Sequence, residues 1–154
     1  MSEVRAAESL NEPTSLTQGA IDFITSNLAT LFARVDQETR ITLSRLVFLL
    51  EEEETDDYGV LRPTLFAFIT ASELIVGASL LLSAGLPLAT PCTDEQGGIR
   101  FEWSRLARQV ALVVPAHQGG RMYLYRAQGD ESGLEDQVSA STLANWLRWL
   151  GEDD

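Results

Sequence analysis

The stretch that most constrains the fold is residues 90–126, TPCTDEQGGIRFEWSRLARQVALVVPAHQGGRMYLYR. Apolar and polar residues alternate along it and Gly pairs interrupt the alternation, the period of strands whose two faces meet different surroundings. Ile99, Phe101 and Trp103 fall on one side of a strand, with Arg100 and Glu102 on the other. Residues 109–114 are apolar on both sides (Val110, Leu112, Val114 against Ala111, Val113), as a central strand should be. Residues 121–126 put Met122 and Leu124 on one face and Tyr123 and Tyr125 on the other. A tyrosine face is half-wet, since each ring wants an apolar wall and each hydroxyl a polar partner. The pattern predicts antiparallel strands over 88–93, 98–104, 108–115 and 121–126, with Pro87 and Pro91 placing the first at an edge. Gly97-Gly98 and Gly119-Gly120 read as tight turns rather than phosphate cradles, and 129–137 as an acidic loop.

Helices flank this sheet. Ser15 or Thr17 can cap a helix over 17–35, whose stripe is Ile21, Ile24, Leu28, Leu31, Phe32 and Val35. A second stripe, Ile41, Leu43, Leu46, Val47 and Leu50, predicts a helix over 37–54. Asp36 can cap it, or the two join into one bent helix. A third helix over 63–84 suits Pro63 in its first turn and ends at Gly85 and Pro87. Residues 65–83 carry one charge, Glu73, and are apolar around most of the circumference, the mark of a helix buried between other elements. Glu73 must therefore reach solvent or a basic partner. Polar interruptions and the lack of a flanking Arg cluster argue against a membrane span. Ser139 or Ser141 caps a last helix over 140–150 with Leu143, Trp146, Leu147 and Leu150 on one stripe and Trp149 off it, at the surface. The expectation is an α+β fold, in which N-terminal helices, a three- to four-stranded meander and a C-terminal helix pack together. Residues 1–14 form a flexible N-terminus and 15–154 a single domain.

At 154 residues the chain can bury a real core, and 45% apolar with 22% charged residues is globular composition. Net charge is −12, from 23 acids against 11 bases, so direct nucleic-acid binding is not expected and a basic protein is the better electrostatic partner. Every base is Arg and none is Lys, so no P-loop lysine exists. One cysteine, Cys92, excludes an intramolecular disulfide and a cysteine-based metal cage. The first residues lack the basic and apolar regions of a secretory signal, so the cytoplasm is the expected compartment.

Asp56-Asp57-Tyr58-Gly59, then Pro63-Thr64 opening an apolar helix, then Gly97-Gly98-Ile99-Arg100-Phe101-Glu102-Trp103 resemble a group of small bacterial proteins. These share a WD-x-x-G-like loop, a Pro-Ser/Thr helix start and a GG-x-x-x-EW strand, over roughly residues 40–126 here. The chain departs from that pattern in lacking a Trp ahead of Asp56, and its 15–35 and last helices look like additions. The function of the group is not established; the resemblance implies the fold and an antitoxin-like or bacterial defence-linked role, and carries over no catalytic residue.

Chemistry-bearing residues are sparse. Cys92 and His117 are the nearest thing to a nucleophile and base, but no third orienting group accompanies them. Glu102 is expected to pair across the ladder with Arg108 or Arg121. Glu51, Glu52, Glu53 and Glu54 oppose a helix macrodipole at its C-terminal end, Asp56 and Asp57 follow in a loop over 55–59, and the whole acidic stretch lacks a calcium-loop spacing. They read as a solvated face or a patch for a basic partner, with no metal, cofactor or catalytic residue assigned. The expected function is a non-enzymatic, regulatory protein-binding subunit, antitoxin-, immunity- or defence-accessory-like. In it Glu51–Glu54, Asp56 and Asp57 steer a basic protein while Tyr58, Tyr123, Tyr125 and Trp149 supply anchors. The alternative is a self-associating module that dimerises through the helix at 65–83; an enzyme with a noncanonical carboxylate site is a more distant third.

Overall fold

The computed structural model describes residues 34–51 and 62–152, together with Gly19, Asp22, Ser26 and Thr30, four helical and exposed positions spaced three or four apart. Three further helices follow, α1 (Gln37–Glu51), α2 (Leu65–Leu81) and α3 (Ala140–Gly151), with five strands between the last two. These are β1 (Cys92–Thr93), β2 (Ile99–Arg105), β3 (Arg108–Val114), β4 (Tyr123–Gln128) and β5 (Glu131–Glu135), paired antiparallel in sequence order. The α+β class holds, and the meander has one strand more than the sequence suggests.

Each helix starts where a side chain can take up its orphan N–H groups. The chain turns at Arg34 and Val35, and Asp36 then receives the Thr39 amide at 3.2 Å and the Thr39 hydroxyl at 2.6 Å. Partial burial pushes the Asp36 carboxyl up, but those Thr39 bonds outweigh it and hold the group below the usual carboxylate range. Thr64, not Pro63, sets the start of α2: its hydroxyl accepts from the Ala67 amide at 3.1 Å. At α3, Ser139 and Thr142 form a reciprocal capping box.

The helices cover one face of the sheet. Ile99, Phe101, Trp103, Val110, Leu112 and Leu124 point to that side, meeting Leu143, Leu147 and Leu150 of α3 and Phe68 and Ile75 of α2 in one core, while Leu43, Leu46 and Leu50 of α1 close it from outside. Gly77 permits a close approach of α2 to the start of α3, since a Cβ there would lie 2.8 Å from the Cβ of Ala140. Gly98 is equally constrained: a Cβ would stand 2.6 Å from the Val114 carbonyl oxygen.

Several expectations need correction. The strand over 88–93 shrinks to Cys92–Thr93, because Pro87 and Pro91 offer no N–H to a ladder; Arg45 of α1 instead donates to the Ala89 carbonyl at 2.8 Å. The acidic loop at 129–137 is largely strand β5, reached through a two-residue turn whose Gly129 has φ +60°, as a II′ hairpin requires at its first position. The outer surface of α2 is not covered throughout: Ile69 is 42%, Leu80 68% and Leu81 45% exposed, with Glu73 exposed on the same side. No helix among the described residues is long and apolar enough to cross a membrane.

Candidate interaction surface

Pairing residues across an antiparallel ladder share a face, so the register sorts every side chain of the sheet. Three rows run across the face that the helices leave open. One is Cys92, Arg100, Val113, Tyr123; the next is Glu102, Ala111, Tyr125, Leu134; the third is Ser104, Gln109, Ala127, Ser132. Tyr123 and Tyr125 are half-buried, Ala111 is fully covered, and Leu134 is 55% exposed. The open face therefore has an aliphatic and aromatic centre with a polar rim. Arg121 lies over the Tyr123 ring at 5.1 Å and pairs with Asp136 at 2.8 Å, at one border of that face. Glu102 bonds Arg100 of its own strand at 2.9 Å, not Arg108 or Arg121. The strand period places these two on the same side, and the register sets Ala111 opposite Glu102.

Trp149 is not a free anchor. It is half-buried, with Arg108 and Arg126 each 5.1 Å from its ring, and Arg126 also lies 5.1 Å from Trp146. Arg108 further donates to the carbonyls of Trp149 at 2.7 Å and Glu152 at 2.8 Å, placing a cation at the negative end of α3. Arg148 does the same for the end of α2 through the Leu81 carbonyl at 2.5 Å. Arg40, Arg45 and Arg105 likewise donate to backbone carbonyls, those of Val35, Ala89 and Glu152, from exposed positions. Sequence periodicity could place Trp149 off its stripe but could not show that β3 and β4 carry arginines to meet it.

Of the other sequence-derived candidates, Glu51 is the exposed last residue of α1. Glu52, Glu53, Glu54, Asp56, Asp57 and Tyr58 lie outside the described residues. Cys92 is exposed on β1, and no hydrogen bond joins it to His117 among the described residues. Partial desolvation of the thiol against the sheet and the nearby Glu102 push it up, away from the thiolate that nucleophilic chemistry needs. No cluster of three or more His, Cys, Asp or Glu side chains able to hold a metal ion occurs among the described residues. Among the described residues a concavity of about 130 Å³ lies beside Arg126, Gln128 and Trp149, and a more open groove of about 470 Å³ between Glu38, the loop after α2 and the end of α3. Glu131, Ser132 and Arg126 line the first and Glu38, Ser83, Arg148 and Glu152 the second, but neither lining includes a histidine or cysteine to serve as base or thiol nucleophile.

No protein-family model matches the chain, and comparison with curated proteins and with solved structures finds no similar one.

Proposed function

We propose that this chain is a non-enzymatic binding subunit that engages a protein with a basic surface through the open face of its sheet. The observation that carries this reading is the row Glu102, Ala111, Tyr125, Leu134, in which a half-buried tyrosine and an exposed leucine stand together on the sheet face opposite α1, α2 and α3. Aromatic and aliphatic side chains so placed serve as desolvated anchors, while a net charge of −12 draws a basic partner in and raises its on-rate. An antitoxin, an immunity protein or an accessory subunit of a defence complex works in this way, by occupying a basic surface of another protein. The acidic run 51–57 adds to the steering in this reading. Capture from host extract followed by salt washes tests it. A basic protein should be retained at low salt and released at high salt, and Tyr125→Ala with Leu134→Ala should weaken its capture at least about tenfold while leaving the circular dichroism spectrum unchanged. Equal capture by the double variant, or a main partner that is not basic, rejects the reading.

A second reading has its own observation. The exposed row Ile69, Leu80 and Leu81 of α2 lies on a helix whose single charge is Glu73, and Phe48 of α1 is 62% exposed. This supports self-association through α2. Light scattering decides: a dimer that survives high salt and dissociates with Leu80→Glu supports it, and a monomer under all conditions removes it.

A further inference from the structure

β5 ends the sheet, and among the described residues no strand is paired to its outer side. An edge strand presents alternate N–H and C=O groups to whatever approaches, and proteins usually blunt it with proline, lysine or a bulge. β5 has none of these: its residues are Glu, Ser, Gly, Leu and Glu, and its register with β4 is unbroken from Gln128 opposite Glu131 to Leu124 opposite Glu135. At its centre Gly133 brings no side chain to the helix-facing side, and a strand-interior glycine is where a second backbone can come close. What guards the edge is charge of one sign. Asp130 and Glu131 stand at one end, Glu135 and Asp136 at the other, with Arg121 engaged by Asp136. Such a guard is selective: it repels a second copy of a chain with net charge −12 and admits a strand that carries arginine or lysine.

Resting on the basic-partner reading, we infer that the outer edge of β5 takes up an extended segment of that partner as a sixth strand. The side-chain rows specify the segment. Leu134 and Ser132 belong to the open face: the residue laid beside Leu134 is apolar and continues the row of Tyr125 and Leu134 by one position, and the one beside Ser132 extends the row of Ala127, where a β-branched residue suits a strand. Glu131, Gly133 and Glu135 alternate to the other side, so residues laid beside the two glutamates are basic, and the one beside Gly133, where Arg126 of β4 already stands, is left unspecified. Valine is both apolar and β-branched, so a sequence that fits is basic–valine–any–valine–basic. Backbone hydrogen bonds hold it, and alternate side chains select it, as in other strand-addition complexes.

The test titrates the full chain with the peptide Ac-Arg-Val-Thr-Val-Arg-NH₂, following backbone amide shifts and hydrogen exchange. Shifts and slowed exchange should concentrate at residues 131–135. Two N-methylated forms separate strand addition from simple charge attraction, one methylated at positions 2 and 4 and the other at 1, 3 and 5. Alternate amides point to opposite edges, so one form should bind like the parent and the other at least about tenfold more weakly. The double variant Glu131→Gln with Glu135→Gln should weaken the parent peptide about five- to tenfold at low salt and much less at high salt. If both methylated forms bind as the parent does, the edge assignment is overturned while the open-face reading keeps its separate test. Absence of measurable peptide binding also overturns the edge assignment, as does concentration-dependent protection of residues 131–135 in the free protein, which would mean that a second copy occupies the edge.

Discussion

Replacing Trp103 with Ala is expected to lower the unfolding free energy by about 3–5 kcal/mol, the range for an aromatic side chain removed from a core that cannot close over the gap. Trp103 is 2% exposed, its ring is stacked on Phe101 with centroids 5.6 Å apart, and its Nε1–H donates to the Pro87 carbonyl at 3.0 Å. The ring therefore fills the floor under the helices and also fastens the segment that leads from α2 into β1. Trp103→Phe keeps most of the apolar area but withdraws the donor from Pro87, and should cost only about 1–2 kcal/mol. For a chain of this length each kcal/mol moves the melting temperature by about 2–4 °C, so the Ala variant should melt roughly 10 °C lower. Leu106, 83% exposed in the turn between β2 and β3, is the control: Leu106→Ala should stay within about 0.5 kcal/mol of the parent. Urea unfolding reads all three. A loss below about 1 kcal/mol for the Ala variant would mean that the sheet floor is not where the stability of the fold resides.

The residues under that floor were the legible part of the chain. Ile99, Phe101 and Trp103 alternate with charged neighbours, and the double-sided apolar run of β3 has no other economical explanation than a central strand. Both signals come from burial, which imposes a period on the residues themselves. β5 escapes this logic because it is an edge strand with one apolar residue, Leu134, and no β-branched one. Its conformation follows from pairing with β4, a tertiary cause. The Gly129-Asp130 pair after a strand was the available signal, since such dipeptides close hairpins, but the surrounding acids read as loop. The open-face tyrosines were found from alternation alone, whereas their alignment with Leu134 depends on register, which alternation does not supply. Trp149 shows the same limit. Helical spacing located it on α3, and only the meander brings Arg108 and Arg126 to its ring.

Thr64→Val should cost about 2–4 kcal/mol, a large effect for the loss of one hydroxyl. Thr64 is buried, and its Oγ1 accepts from the Ala67 amide at 3.1 Å while donating to the Ala116 carbonyl at 2.6 Å. Its own amide donates to the Gly97 carbonyl at 2.9 Å, a bond that valine keeps. Valine also keeps the branched shape, so the substitution isolates the hydroxyl. Removing the cap contributes about 1 kcal/mol, and leaving the carbonyl of the buried Ala116 without its donor adds about 1–3 kcal/mol. Thr64→Ser, which retains the oxygen, should recover most of the loss. Thr64 joins the start of α2, the turn at Gly97 and the exit of β3, so its loss is also expected to speed hydrogen exchange at Ala67 and Gly120 ahead of the central strands. Chemical unfolding of the Val and Ser variants, with exchange followed by residue, checks both parts. Equal stability of Thr64→Val and the parent would show that the helix layer is held to the sheet by its apolar contacts alone.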